Sequence, residues 1–415
     1  MAESGRSEHS SGRIRDGVSD RALFAGVGLL ALLIRLIALL QFRSSDAFGL
    51  LLGDASTYDP WARAIASGDW IGHDVFYQAP LYPYFLGAIY AVAGHSLTAA
   101  RLAQALMGSA ACVALALAGR SFFSRRIGIV AGALLALYPP AIFYDGLLEK
   151  TSLTGFLFAA LLAALGRIAE RPTRSMAVAS GAILGLLALT RENALILAPV
   201  LLAWALWPRE AVPARERRAA AIALTLGLAV VLAPVGIRNA AVGGEFHLTT
   251  AQSGPNFYIG NGPGADGTYV PLVVGHGDPA YERADATHLA ERAAGRALTP
   301  GQVSSYWARQ ATRWIASHPG HWIRLLARKT AMAMNATEVM DTEDIYTHAQ
   351  WTHVLRWLLP VLNFGTILPL AAAGIVLTAS RRRRLWLLYA VVAAYGLGLV
   401  PVSYTHLTLP TILRV

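Results

Sequence analysis

Apolar runs of bilayer length, separated by short arginine-bearing loops, restrict this chain more than any other feature of its sequence. From Ala22 to Gln41 the only charged residue is Arg35, and about 20 apolar residues is what a helix needs to cross a hydrocarbon core of roughly 30 Å. Backbone groups in that environment have no water to bond, so a single segment must satisfy them internally, and each such run is expected to be a helix. Composition supports the same class: 55% of the 415 residues are hydrophobic and 14% are charged, where soluble domains carry about a quarter charged residues. A soluble globular chain and a disordered chain are both excluded. The one cysteine, Cys112, lies inside an apolar run and can make neither an intramolecular disulfide nor a cysteine cluster.

The net charge of +10 would suggest a nucleic-acid partner in a soluble protein, but its placement assigns it elsewhere. Arginines gather in loops between apolar runs: Arg120, Arg125 and Arg126; Arg167, Arg171 and Arg174; Arg209, Arg215, Arg217 and Arg218; and Arg381 to Arg384. Positive charge is retained on the cytoplasmic side of polytopic membrane proteins, so the partner is the membrane and no nucleic acid is needed. Residues 1–20, rich in Ser, Gly and Arg, read as a disordered cytoplasmic tail, not a cleaved signal peptide.

Leu81 to Gly94 decides the topology. As a helix rising about 1.5 Å per residue it reaches roughly 21 Å, short of the core, and if it crossed, every arginine loop that follows would be inverted. It is therefore expected in the outer interface as a juxtamembrane helix. The spans are then Ala22 to Gln41, Leu97 to Gly119, Ile127 to Tyr144, Ser152 to Ile168, Met176 to Leu189, Ala194 to Trp207 and Ala219 to Ile237, with Val354 to Thr378 and Leu385 to Val400 after a long polar segment. Arg35, near the outer end of its span, is expected to snorkel to the interface. The domains follow: a transmembrane core over 21–237 with its first outer loop at 42–96, a mixed extracytoplasmic domain over 238–353, and two further helices over 354–401. The extracytoplasmic domain holds seven of the eleven histidines, with 9 basic and 10 acidic residues. Thr299 followed by Pro300 announces a helix there, and His321 to Asn335 reads as a helix on the membrane surface. Residues 402–415, containing VSYTHLTLPT, look like a translated sequencing adapter and are expected to be non-native. The fold class is an all-α polytopic membrane protein.

Acidic residues in the outer loops are the informative ones for chemistry. Asp59 precedes Pro60 and a run closed by Gly68, the pattern of a helix cap. Asp69 and Asp74 read as solvated. Asp54 has no such local explanation: it follows an apolar run and Gly53 where the chain leaves the membrane. GHGD (Gly275 to Asp278) and the group Asp341, Glu343, Asp344 and His348 could meet a cation, but their spacing does not assemble ligands and they read as solvated loops. No cofactor and no metal site is assigned, although a divalent cation is compatible with the sequence.

Five stretches in order, GDASTYDPWARAI, QAPLYPYFLGAIYAV, YPPAIFYDGLLEKT, the ALTREN loop and IRN followed by NFYIGNGPGADGTYVP, resemble the GT-C membrane glycosyltransferases. Among these the chain is most similar to glycosyltransferase family 39, the protein O-mannosyltransferases and the bacterial aminoarabinose transferase, over most of residues 20 to 400. The resemblance implies a transmembrane GT-C bundle with juxtamembrane helices. It implies a polyprenyl-phosphate sugar donor and transfer, with inversion, to a lipid, glycan or protein acceptor on the periplasmic or exterior face of a bacterial inner (plasma) membrane. Asp54 takes the family's catalytic position, with Tyr58 its accompanying aromatic. Glu149 takes the second acidic position, with Asp145 its rival. Tyr82, Arg191, Arg238 and Lys150 are placed on the substrates, the arginines because a leaving phosphate calls for cations. The sequence departs from the family at Gln78 and Ala79, where many members have histidine or arginine and then proline, which bears on acceptor or metal specificity. A transporter or flippase of lipid-linked substrates is the competing class. Such proteins show repeated halves and charge at mid-membrane, whereas the acids here lie at the outer surface.

Overall fold

The computed structural model describes residues 19–208, 212–338 and 343–402. The N-terminal tail up to residue 18, Arg209, Asp341 and the segment 403–415 lie outside the described residues. In chain order the helices are α1 (Asp20–Arg43), α2 (Asp54–Ala66), α3 (Leu81–Ala93), α4 (Leu97–Phe122), α5 (Arg125–Leu137), α6 (Pro139–Gly146), α7 (Thr151–Glu170), α8 (Arg174–Ala188) and α9 (Leu197–Leu206). They continue with α10 (Ala214–Gly243), α11 (Ser253–Asn261), α12 (Pro279–Ala294), α13 (Pro300–Ser317), α14 (Pro319–Ala333), α15 (Ile345–Trp351), α16 (His353–Leu358), α17 (Phe364–Leu377) and α18 (Arg382–Val402). No strand occurs among the described residues, so the segment 238–353, expected to be mixed, is helices and loops. Three of its helices, α12, α13 and α14, start at prolines whose fixed φ suits a first turn, and Thr299 forms a capping box with Gln302.

Among the described residues five helices are long and apolar enough to cross a membrane, or six if α5 and α6 count as one bent span. That bend, 53°, corrects the expectation of one straight helix from Ile127 to Tyr144. Tyr138 precedes a proline, is pushed out of the helical region, and adopts an extended backbone (φ −74°, ψ 113°). Val354 to Thr378 is likewise interrupted: α16 stops, and Asn363 caps a new helix by accepting from Thr366 N.

Ion pairs and ring contacts gather the arginine loops at one end of the bundle. Asp20 meets Arg125 at 3.0 Å and Arg120 at 3.4 Å, Arg174 meets Glu216 at 3.1 Å, and Trp207 packs on Trp386 at 5.0 Å. α8 and α10 cross in contact, because Gly181 and Gly227 leave no room for a side chain. A Cβ on either would sit about 2 Å from a carbonyl oxygen of the other helix, the small-residue packing used where lipid supplies no hydrophobic drive. α3 does not reach the arginine end. It starts where Leu81 N donates to Leu189 O (3.0 Å), packs Gly87 on Ile65 of α2, and closes with Tyr90 and His95 on Asp59.

This arrangement predicts a labelling result. A cysteine at Ser124, with buried Cys112 as the only background thiol, is expected to react from the cytoplasmic side alone, opposite Asp54. Labelling of Ser124→Cys from outside in intact cells would reverse the bundle.

Candidate functional site

At the end opposite the arginine loops, α2 presents its first residue. Gly53 turns the chain with φ 57°, ψ −131°, a conformation open to glycine, and Asp54 begins the helix. Asp54 is 6% exposed. Its Oδ2 accepts from Lys150 Nζ at 2.9 Å and from Tyr58 Oη at 3.0 Å, while its Oδ1 accepts from Gln78 Nε2 at 3.2 Å. Lys150 Nζ also donates to Tyr58 Oη at 2.9 Å, and Thr57 Oγ1 donates to Gln78 Oε1 at 3.1 Å. Burial, then the charges of Asp54 and Glu149, push the Tyr58 phenol well above its usual range, so it stays a proton donor. The ammonium of Lys150 offsets the buried carboxylate, and full hydrogen bonding makes such a pair tolerable.

Behind this cluster Tyr82 stacks edge-on against Tyr58 (5.3 Å) and donates to Gln104 Oε1 at 2.6 Å, while Gln104 Nε2 holds the carbonyls of Asp145 and Leu147. Glu149 is half-buried beside these groups, its charge acting on both Tyr58 and Tyr82. Arg191 is 8% exposed, and its Nε makes no hydrogen bond among the described residues. It forms no pair with Glu192, whose Oε1 instead accepts from Thr250 and Gln252.

Arg238 is placed differently. Its guanidinium holds the carbonyls of Ile71 and Asp74, donates to Asn239 Oδ1 at 3.0 Å and lies over Phe76 at 3.8 Å. It therefore clasps the loop that carries Gln78. Asp145, the rival of Glu149, is turned away: it pairs with Arg35 at 2.6 Å, both buried. That corrects the expectation that Arg35 snorkels, since Gly108 vacates the space the pair needs. Asp59 is no cap either. It sits inside α2, 2% exposed, accepting from Tyr90 and His95 and pairing with Arg63 at 3.0 Å, because the helix has already started at Asp54.

Sequence reasoning did not find Gln104 or Arg101. Arg101 is 1% exposed, donates from Nε to Gly146 O at 2.7 Å and stacks on Phe48 at 4.0 Å; its position one turn into an apolar run was the available signal.

The two groups considered for a cation are otherwise engaged: His276 pairs with Asp285, Asp278 caps α12, Asp344 caps α15, and Glu343 pairs with His348. Among the described residues no three His, Cys, Asp or Glu side chains converge as metal ligands. The donor set does not fit a dedicated metal cage, because Lys150 already supplies the positive charge at Asp54 Oδ2.

Residues 77–237, which hold Gln78, Tyr82, Glu149, Lys150 and Arg191, match the family model described as dolichyl-phosphate-mannose-protein mannosyltransferase. The chain is a GT-C-fold protein resembling glycosyltransferase family 39. The oligosaccharyltransferase of Archaeoglobus fulgidus, crystallised with Zn and sulfate, superposes on 94% of this GT-C chain at TM-score 0.53 and 15% identity, using 49% of its own length. AglB, the oligosaccharyltransferase of the same organism in complex with an inhibitory peptide and a dolichol-phosphate, covers 95% at TM-score 0.50 and 14% identity, again with 49% of its length. ArnT from Cupriavidus metallidurans, bound to undecaprenyl phosphate, is 18% identical over 94% of this chain and 77% of its own at TM-score 0.43. The GT-C chain thus spans about half the length of the archaeal structures it matches. No curated protein matches the sequence.

Proposed function

We propose that the chain is an integral membrane glycosyltransferase that moves a sugar from a polyprenyl-phosphate donor to an acceptor at the Asp54 end of the bundle, facing the periplasm or exterior. The single observation that carries this reading is the buried Asp54, Lys150, Tyr58 and Gln78 cluster at the start of α2, on a GT-C fold. The family model and the dolichol-phosphate in the AglB complex support a lipid-phosphate donor.

Asp54 takes the proton from the acceptor hydroxyl or amine as its oxygen or nitrogen attacks the anomeric carbon. The bond from that carbon to the phosphate oxygen breaks on the opposite face, with inversion, and the leaving polyprenyl phosphate carries the electron pair as a stable anion. Lys150 has three N–H donors, two of them directed to Asp54 and Tyr58, so the third can meet a phosphate oxygen, with Arg191 the second cation. Tyr58 and Gln78 orient the carboxylate, and Glu149 adds negative charge that favours the sugar's developing positive charge.

Incubating the purified protein with labelled polyprenyl-phosphate sugars and a panel of lipid, glycan and protein acceptors tests this directly. Transfer in the parent and its loss in Asp54→Asn is the expected result; no transfer from any donor in the panel would sink the reading.

The two arginines separate in a second measurement. Arg191→Ala is expected to weaken donor binding by about ten- to a hundredfold, as loss of a charge-assisted hydrogen bond of roughly 1.5–3 kcal/mol requires, with lysine rescuing only part. Arg238→Ala is expected to lower thermal stability and leave donor affinity near the parent's, because its donors hold loop carbonyls. Equal donor affinity in Arg191→Ala and the parent would remove Arg191 from the site.

A further inference from the structure

A cavity lies at the arginine end, far along the bundle from Asp54. It has a volume of about 230 Å³ between α7, α8, α9 and α10, room for roughly seven or eight groups the size of a water at about 30 Å³ each. Its interior is apolar, lined by Ala177, Trp204, Ala220 and Leu224, and its mouth carries Arg174 and Arg217. Arg174 reaches Glu216 through Nη2 alone. Arg217 donates from Nη1 to Leu206 O at 2.9 Å, and its Nε is buried without a hydrogen bond among the described residues. The α8 N-terminus at Thr173 and the α10 N-terminus at Pro213 also open here, adding the positive ends of two helix dipoles. Across residues 167–174 and 212–218 six arginines face two glutamates. An apolar slot under a cationic mouth at the bilayer edge complements a molecule with a hydrocarbon chain and an anionic head.

We propose that this cavity binds an acidic phospholipid of the leaflet on the arginine side, its phosphate held by Arg217 and Arg174 and the start of an acyl chain lodged against Trp204 and Leu224. Basic pockets between helices on that side are suited to such headgroups. The lipid would brace α9 against α10 beside the Arg217–Leu206 contact, and it does not depend on the reaction assigned to Asp54.

The test uses the full chain in a neutral detergent, titrated with short-chain phosphatidylglycerol, with phosphatidylcholine of the same chains, and with inorganic phosphate. Native mass spectrometry reads bound lipid and thermal unfolding reads its stabilisation. Phosphatidylglycerol is expected to bind about tenfold or more tightly than phosphatidylcholine, the scale of one charge-assisted contact, and to raise the unfolding temperature. R174Q/R217Q should bring phosphatidylglycerol down to the phosphatidylcholine level, and Ala220→Phe, which fills the slot, should weaken both. Equal binding of the two lipids by the parent overturns the proposal without recourse to any variant. So does full displacement of phosphatidylglycerol by inorganic phosphate at matched concentration, which would make this a site for a free anion. An unchanged preference in a folded R174Q/R217Q overturns the arginine assignment.

Discussion

Asp54→Asn is expected to cut sugar transfer by about a hundred- to ten-thousandfold while expression and donor binding stay near the parent's, the range associated with removing a general base. Asparagine keeps the size of the side chain and one acceptor oxygen, but it cannot take a proton at neutral pH. That oxygen can still receive Lys150 or Tyr58, each about 3 Å from Asp54 Oδ2, so local geometry should survive. The loss belongs in kcat more than in KM. Asp46→Asn, at an exposed position in the same loop, is the control expected to keep activity. Asp59→Asn cannot serve as one, because buried Asp59 accepts hydrogen bonds from Tyr90 and His95 and pairs with Arg63, and its substitution perturbs the α2–α3 pair. Near-normal turnover in Asp54→Asn would sink the mechanism. A lysine-specific result separates roles further: Lys150→Met should lose donor binding and turnover together, since it would strip both the phosphate contact and the counter-charge of Asp54.

Asp145→Ala is expected to be the most destabilising single change in the bundle, by about 3–5 kcal/mol, because it leaves the Arg35 guanidinium charged and buried without its partner. The remaining contacts of Arg35, to the carbonyls of Ala31 and Ala136 at 3.3 and 3.5 Å, are too long to compensate. Thermal unfolding and the monodisperse fraction after solubilisation should both fall. The double variant Arg35→Met/Asp145→Asn removes both charges while nearly keeping volume, and it should recover most of the loss. This experiment also weighs Asp145 against Glu149. If Asp145→Asn remained as stable as the parent yet lost turnover, Asp145 would be the second acid and Glu149 the bystander.

Much of this protein could be read without its structure. Run length and the absence of water in a bilayer dictate helices at Asp20–Arg43, Leu97–Phe122, Thr151–Glu170 and Ala214–Gly243. The arginine loops dictate that those helices share one charged end, and the short run after Pro80 dictates a helix that stays at the other. The cap at Thr299 was legible for the same kind of reason: it depends on neighbours within a few positions of the chain. What tertiary structure alone decided is which charged side chains meet. Lys150 lies 96 positions from Asp54, and Asp145 lies 110 from Arg35, and no periodicity encodes such a pairing. Asp145 and Glu149 are one helical turn apart in sequence, yet the break at Tyr138 and the vacancy at Gly108 bury the first on α1 and leave the second beside Tyr58. Asp59 and Arg238 changed roles for a related reason, because a local pattern states what a residue can bond, and packing decides which competing partner arrives. Helices follow from segment-wide constraints on backbone groups, whereas a site follows from where separate segments converge, and that convergence is set by the packing of the whole bundle.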